Sequence, residues 1–341
     1  MQLKQLLDDL REYAGIQHKK DISVVNGLVR EAYKHSDHPN GDDTAAIKTD
    51  TGYDLLATEG FLSAFVHQDP WFAGWCSVMV NVSDVAAMGG RPTAIVNTIW
   101  ALNSPQTHKI YEGMVAASQA FQVPIVGGHT NFQTNQTYLS ASILGKAATL
   151  MSSFAAKPND VLVAAIDLRG AFRPPFLNWN AATKAPPARL RADIALLPYI
   201  ADNKLAHAAK DISQAGILGT CVMLLESSGV GAEISLDKIP KPPDVTWHDW
   251  LRTFPSYGYI FAMSKDNAKR LISTFTARGI SAEEIGDVTR CPEVMVNSMR
   301  ERYLFWNTAD ESLTGMTDTS NKKQETTEVG TKAASEFGCI S

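Results

Sequence analysis

The sequence lacks closely spaced cysteines: Cys76, Cys221, Cys291 and Cys339 are scattered, with no CxxC pair among them. That argues against a zinc knuckle or a disulfide framework and makes a reducing cytoplasm the default compartment. It also lacks a basic excess. Its 31 Lys and Arg against 36 Asp and Glu give a formal net charge of -5, which offers no footing for nucleic acid or an anionic membrane. No run approaches the ~18–20 apolar residues needed to cross a bilayer. The opening MQLKQLLDDLREY has the pattern of a charged amphipathic helix rather than a basic flank followed by an apolar stretch, so it does not read as a signal peptide. What is present is ordinary for a globular chain: 45% hydrophobic and 20% charged over 341 residues. On a prior of roughly 100–200 residues per domain, two domains are expected.

Residues 1–34 read as one or two helices, with Asp21-Ile22-Ser23 as the entry to the second. HSDHPNGDDTAAI then changes character: Pro39, Asn40 and Gly41 make a turn, two acids follow, and a short strand begins. DLLATEGFL is another strand, ending at an acid. The pattern is helical from Asp69-Pro70 through Met88, Pro92 to Trp100 reads as a buried strand, and 107–122 as a helix. VPIVGGHT reads as a strand running into a glycine turn, and TYLSASILG as an alternating strand. Alternating strands and helices predict an α/β or α+β layered domain over 35–150. A second unit, 151–307, follows the turn at KPND. In it VLVAAIDL is a strand, FRPPFLNWNAATKAPPARLR an irregular proline-rich stretch, and 191–210, 214–228 and 265–279 helices. Residues 232–236, 257–263 and EIGDVT read as strands. From 308 to 341 Thr, Ser, Lys and Glu dominate, which predicts a disordered tail.

NVSDVAAMGGRP, residues 81–92, poses the chemical question. Asp84 stands among Val82, Val85, Ala86 and Met88 in what reads as half of a buried helix, where a lone acid is ordinarily paired or at the solvent edge. It is not the chain's only acid in such a place. Asp42 and Asp43 follow a glycine turn, Glu59 ends a strand, and Asp211 precedes Ser213 and a glycine at another strand-to-helix boundary. Each by itself reads as a cap or turn residue. Together, several carboxylates at element ends are what a hard cation needs, and Mg2+ takes oxygen ligands, keeps waters and is commonly completed by substrate phosphates. Gly127-Gly128 after VPIV is a weaker feature, a pair that lets backbone N–H groups approach an anion. His18, His35 and His67 read as surface residues with no evident partner.

GDDTAAI, TEGFL, NVSDVAAMGGRP, GGHT, DISQAGILG with SGVGAEI, and IGDVT occur in that order. Over about residues 35–290 the chain thereby resembles the superfamily of AIR synthetase, thiamine-monophosphate kinase, selenophosphate synthetase and the hydrogenase-maturation carbamoyl dehydratase. AAKPND also resembles the AKPGD turn that opens the second domain in those enzymes. The resemblance implies a two-domain PurM-like fold and a homodimer whose first domains pair into a shared β-barrel, with ATP and several Mg2+ ions near that interface. By similarity to the kinase, Asp42, Asp43, Asp84 and Asp211 are expected metal ligands, Asp43 as the second acid of GDD. Thr58 and Glu59 match a Thr-Asp pair that holds metal, Gly128 and His129, after Gly127, match a Gly-Asp pair at the nucleotide, and Ser213 matches an ATP contact.

The departures matter as much. Glu59 replaces Asp, His129 replaces a carboxylate, Gln214 replaces a second Asp, and uncharged Ser153 falls near the place of a nucleotide-pocket arginine. Phe254-Pro255-Ser256-Tyr257 replaces the kinase's acidic substrate motif, so thiamine monophosphate is not the expected substrate. There is no cysteine before Cys76, as selenophosphate synthetase would need, and Cys339 in FGCIS is third from the end rather than final, which reads as a free thiol on a tail. The resulting expectation is a Mg2+-ATP-dependent enzyme that phosphorylates or activates a small polar metabolite. Alternatives are an ATP-driven dehydratase or cyclo-ligase, and a degenerate ATP-binding sensor or assembly protein. Outside these blocks, FRPPFLNWN reads either as a substrate loop, with Arg173 or Lys184 holding an anion and Trp179 stacking on a ring, or as an inter-domain connector. Tyr257 is a further substrate candidate.

Overall fold

The structure is a computed structural model that describes residues 2–29 and 38–317, and statements of absence below concern those residues. Three short helices lead: α1 (Leu3–Arg11), α2 (Ala14–Gln17) and α3 (Asp21–Val29). The first domain follows as β1 (Ala45–Thr49), β2 (Gly52–Phe61), α4 (Ser63–Gln68), α5 (Pro70–Ala87), β3 (Arg91–Trp100), α6 (Ser104–Phe121), β4 (Ile125–Asn131) and β5 (Tyr138–Ala147). The second begins with β6 (Val161–Ile166), β7 (Ala171–Arg173), β8 (Asn178–Asn180), α7 (Pro187–Ile194), α8 (Leu196–Asp202), β9 (Ala208–Asp211) and α9 (Gly216–Ser228). It continues with β10 (Gly231–Ser235), α10 (Trp247–Trp250), β11 (Gly258–Met263), α11 (Lys265–Thr276), β12 (Ser281–Thr289), β13 (Glu293–Ser298) and β14 (Glu301–Asn307).

The first sheet runs β1-β2-β5-β3-β4, antiparallel except for the parallel pair β3 and β4, which α6 connects. Antiparallel strands put alternate residues on opposite faces, so Leu55, Ala141 and Ile143 pack inward while Leu56, Thr58 and Leu144 face out. Against the inner face lies α5. Its first turn is set by Asp69, whose carboxylate accepts from the Phe72 N–H at 3.2 Å, and by Pro70 at a position where no helical N–H is needed. It ends at Gly89, which holds φ +79 and where a Cβ would sit 2.5 Å from the Ala201 methyl. The second sheet, ordered β14-β13-β10-β12-β6-β11-β9, is covered on both faces. One face carries α9 with α1, and the other α8 and α11 together with Ala86 and Ala87 from the end of α5. Helix α5 is therefore enclosed by its own sheet, by α6 and by β9 and α8 of the second domain, which is why it is buried almost all round.

Several expectations need correcting. Where described, the one or two helices expected over 1–34 are three, and Leu3, Leu6, Leu7 and Leu10 of α1 are buried in the second domain's core, with Arg11 donating to the Phe305 carbonyl at 3.2 Å. Helix 191–210 is broken at Asn203 to His207, so that Lys210 and Asp211 lie on a strand. The irregular proline-rich stretch contains the β7–β8 hairpin. VPIVGGHT makes no turn, because Gly127 and Gly128 continue β4 as an edge strand beside Val96 and Asn97. β13 and β14 were not anticipated. Residues 308–317, assigned to a disordered tail, are packed, while the rest of that tail and Cys339 lie outside the described residues.

The buried Glu226 carboxylate holds that segment. It accepts from Ser312 Oγ at 2.6 Å, from the Leu313 and Thr314 N–H groups at 2.8 Å each, and from Thr314 Oγ at 2.6 Å. Leu313 is itself wholly buried. Glu226→Ala leaves these donors inside the protein without an acceptor, and should lower the unfolding free energy by about 2–4 kcal/mol. Urea denaturation measures that loss, and limited proteolysis should show residues 308–317 released first.

Candidate functional site

Four acids meet where the domains adjoin. Asp43 comes from the loop before β1, Glu59 from β2, Asp84 from α5 and Asp211 from the end of β9. Carboxylate oxygens of Asp43, Asp84 and Asp211 all lie within 4.8 Å of one another. Their support is specific: the Asp211 N–H donates to Asp43 Oδ2 at 3.2 Å, and Ser256 Oγ donates to Asp211 Oδ2 at 2.8 Å. A buried lysine joins them, with Lys210 Nζ donating to Asp43 Oδ1.

One ammonium does not balance four carboxylates taken out of water. Burial, followed by repulsion from Asp211, Glu59 and Asp43, pushes the Asp84 carboxyl well above its ordinary range. Burial and the charge of Asp43 push Asp211 up to about 7. Burial likewise raises Asp43 and Glu59. Burial works against the Lys210 ammonium too, but Asp43 and Asp42 outweigh it and hold the amine charged. Asp84 Oδ2 is buried with no hydrogen-bond partner, and so is Ser213 Oγ nearby. A hard divalent cation fits this group: the donors are all carboxylate oxygens, one is orphaned, and the surplus charge is of the right sign.

The other expected residues fall elsewhere. Asp42 points away from the cluster and accepts from Ser152 Oγ at 2.7 Å and from Ser153 N and Oγ at 3.0 and 2.7 Å. Burial opposes its charge, but His38, Lys210 and these serines hold its carboxyl below the ordinary range. It anchors the loop that presents Asp43, and Ser153 has the structural task of holding it. Thr58, one residue from Glu59, faces the opposite side of the sheet, where its hydroxyl accepts from Ser142 Oγ at 2.9 Å. Gly127, Gly128 and His129 sit exposed on β4, three strands from Glu59 and so roughly 14 Å away across the sheet. Within one chain they do not join the acids.

Arg173 holds no free anion site. It grips Asp69, the cap of α5, with Nε and Nη2 at 2.5 and 3.1 Å, and its guanidinium lies 4.7 Å from the Phe72 ring centre. Trp179 is 5% exposed, donates Nε1 to the Asp167 carbonyl at 2.9 Å, and packs edge-on against Phe172 and Trp250. Tyr257 is buried against Trp250. Arg173 and Trp179 are thus both engaged by other groups of the protein, and Lys184 is exposed. His18 and His67 are exposed, while His35 lies outside the described residues. Lys210 and Ser256 went unrecognised. A lysine inside the apolar strand run HAAKDI was the signal for the first; a lone serine in a proline turn carried none.

The acids line one end of a cavity of about 370 Å3 between the domains, together with Ser213 and Gln214. Residues 41–147 match the AIR synthase related protein N-terminal domain, and 169–297 match the corresponding C-terminal domain. An uncharacterised Synechocystis protein, sll0787, is 43% identical over 93% of this chain and all of its own length. The chain belongs to the AIR synthase-related family. Within this family, Methanocaldococcus jannaschii MJ0640, also uncharacterised, is 33% identical over 92% of the chain and its own full length. A thiamine-monophosphate kinase of Methanospirillum hungatei is 27% identical over 62% of this chain and 75% of the kinase.

Among solved structures, T. maritima PurL complexed with ATP superposes with a TM-score of 0.69 at 17% identity, covering 88% of this chain; the chain spans 53% of that PurL. AaThiL complexed with AMPPCP and TMP superposes with a TM-score of 0.63 at 20% identity, over 90% of this chain and 99% of its own. The fold is thus the two-domain PurM-like α/β fold.

The raised acids predict a pH signature. Asp211 ordinarily titrates at 3.8 but at about 7 in the fold, so the folded protein keeps a proton that the unfolded chain has released. Its contribution to stability is complete below the unfolded value and is lost as pH rises through about 7. The metal-free protein should melt at progressively lower temperature between about pH 4 and pH 7, and Asp211→Asn should flatten that decline. Added Mg2+ should stabilise more at the alkaline end; scanning calorimetry across the range is the check.

Proposed function

We propose that this chain is a Mg2+-ATP-dependent enzyme that phosphorylates a small molecule or activates it through ATP cleavage. The observation that carries the reading is the triad of Asp43, Asp84 and Asp211, with its orphaned Asp84 oxygen, at the end of an inter-domain cavity. The names of the thiamine-monophosphate kinase relative and of the ATP-bound and AMPPCP-bound neighbours support it. Mg2+ and ATP would supply a neutralising cation and a transferable phosphoryl group there.

The chain's own residues do the positioning. Asp43, Asp84 and Asp211 would hold the metal, and Glu59, which lines the same cavity, would add a ligand through its longer arm. Ser256 orients Asp211 through its hydrogen bond. Ser213 offers a buried hydroxyl without a partner, suited to a phosphate oxygen. Lys210 restrains Asp43 and would supply a positive charge to a bound phosphate, in a cavity that Gln214 also lines. Calorimetric titration of ATP should show binding that requires Mg2+, and Asp84→Asn should weaken it by at least about tenfold. Nucleotide binding that is indifferent to both Mg2+ and Asp84 overturns the reading.

The working form is a homodimer built on the outer face of the first sheet. Ile47, Leu56, Val96 and Leu144 stand 55%, 47%, 43% and 38% exposed on it, where a solvated antiparallel sheet ordinarily carries polar side chains. Pairing two such faces covers these side chains. Sedimentation should give a dimer for the wild type and a monomer for Leu144→Asp, with the fold retained.

A further inference from the structure

The lining of the cavity is chemically uneven. The N-terminal segment, α9 and the 312–316 segment line it with a mixed set, the polar Lys19, Asn40, Ser227 and Thr314 beside the apolar Ile22, Met223 and Met316. The wall formed by α5 and four phenylalanines, the apolar arm, is apolar up to the acids. Along α5 the lining residues Cys76, Val80 and Asp84 follow at four-residue intervals, so they share one helix face and climb it in steps of about 6 Å. Asp84 and Cys76 are thus roughly 12 Å apart along the helix axis. The rest of the arm is aromatic: Phe61, Phe65, Phe176 and Phe254, with the Phe65 and Phe176 rings edge to face at 5.6 Å.

No group in the apolar arm answers a charge. The cations lining the cavity among the described residues are Lys19 and Lys210; Lys210 is engaged by Asp43, and Lys19 acts on Glu59 at the acidic end. Arg173, next to this wall in the β7–β8 hairpin, is taken by Asp69. A phosphate or carboxylate at the bottom of the arm would be buried unpaired, and a sugar or nucleobase would leave its polar edge without partners.

We infer that the apolar arm is the acceptor subsite and takes a small molecule with an uncharged aromatic or branched-aliphatic body, whose one oxygen-bearing end lies at the carboxylates. This rests on the Mg2+-ATP reading and narrows it, because the acceptor is apolar along its length rather than a polar metabolite.

The test uses the full chain with Mg2+, AMPPCP as the nucleotide probe, and phenylacetamide and ribose 5-phosphate as acceptor probes, read by calorimetry and saturation-transfer NMR. Phenylacetamide should bind saturably with or without AMPPCP. Val80→Trp, which fills the arm, and Phe176→Asp, at the partly exposed hairpin, should each weaken it by about tenfold or more while leaving AMPPCP affinity within about twofold. The inference is overturned if phenylacetamide does not bind while AMPPCP does, if ribose 5-phosphate displaces it, or if Val80→Trp expels AMPPCP, which would assign the arm to the nucleobase. Loss of AMPPCP binding in the wild type, with phenylacetamide still bound and still sensitive to Val80→Trp, would instead sink the ATP reading and leave the apolar subsite standing.

Discussion

The site is organised by a deliberate imbalance of charge. Four carboxylates are brought out of water at one domain boundary, with only Lys210 buried among them and Lys19 acting on Glu59 from the cavity wall. Such an arrangement is unfavourable on its own terms, since each buried anion loses its hydration and repels the others. The fold bears that cost because the surrounding elements leave the acids no alternative. Asp84 sits on a helix enclosed by two domains, Asp211 ends a strand paired to β11, and Asp43 is fixed by the Asp42 anchor one residue away. What the protein holds ready is an unmet demand for positive charge, with a cavity beside it.

The layered fold was legible because its signals are local. Helix α5 announces itself by its cap, its proline and its apolar period, and the acid-bearing blocks occur in a fixed order along the chain. Asp43, Asp84 and Asp211 were legible for the same reason, each lying at an element boundary with a glycine turn near it. The failures have physical causes. Thr58 and Glu59 are adjacent in sequence, but a strand sends neighbouring side chains to opposite faces, so only one can reach the cavity. Arg173 looked available because nothing local names its partner, Asp69, which lies 104 residues away. Lys210 was hidden by an apolar run that suited a helix as well as a strand. The segment 308–317 looked disordered by composition, because a few donors on one buried carboxylate leave no periodic trace.

The Asp42 and Asp43 pair shows how two identical side chains acquire different tasks. One is surrounded by donors and spends all its acceptor capacity on the protein's own frame. The next faces other carboxylates and a single lysine. The backbone direction at that turn decides which acid is held by serines and which joins the carboxylate cluster, and the residue type does not.

The Glu226 clamp ties residues 312–315 to α9, and the same segment, through Thr314 and Met316, walls the cavity opposite Lys19 and Ile22. The walls are thus drawn from both early and late in the chain. During synthesis Asp43, Glu59 and Asp84 are made long before the cavity can be enclosed, since Thr314 and Met316 emerge from the ribosome some 250 residues after Glu59. Ligand capture is consequently a property of the finished chain: a nascent or prematurely terminated product would carry the acids but have no wall to keep solvent away from them.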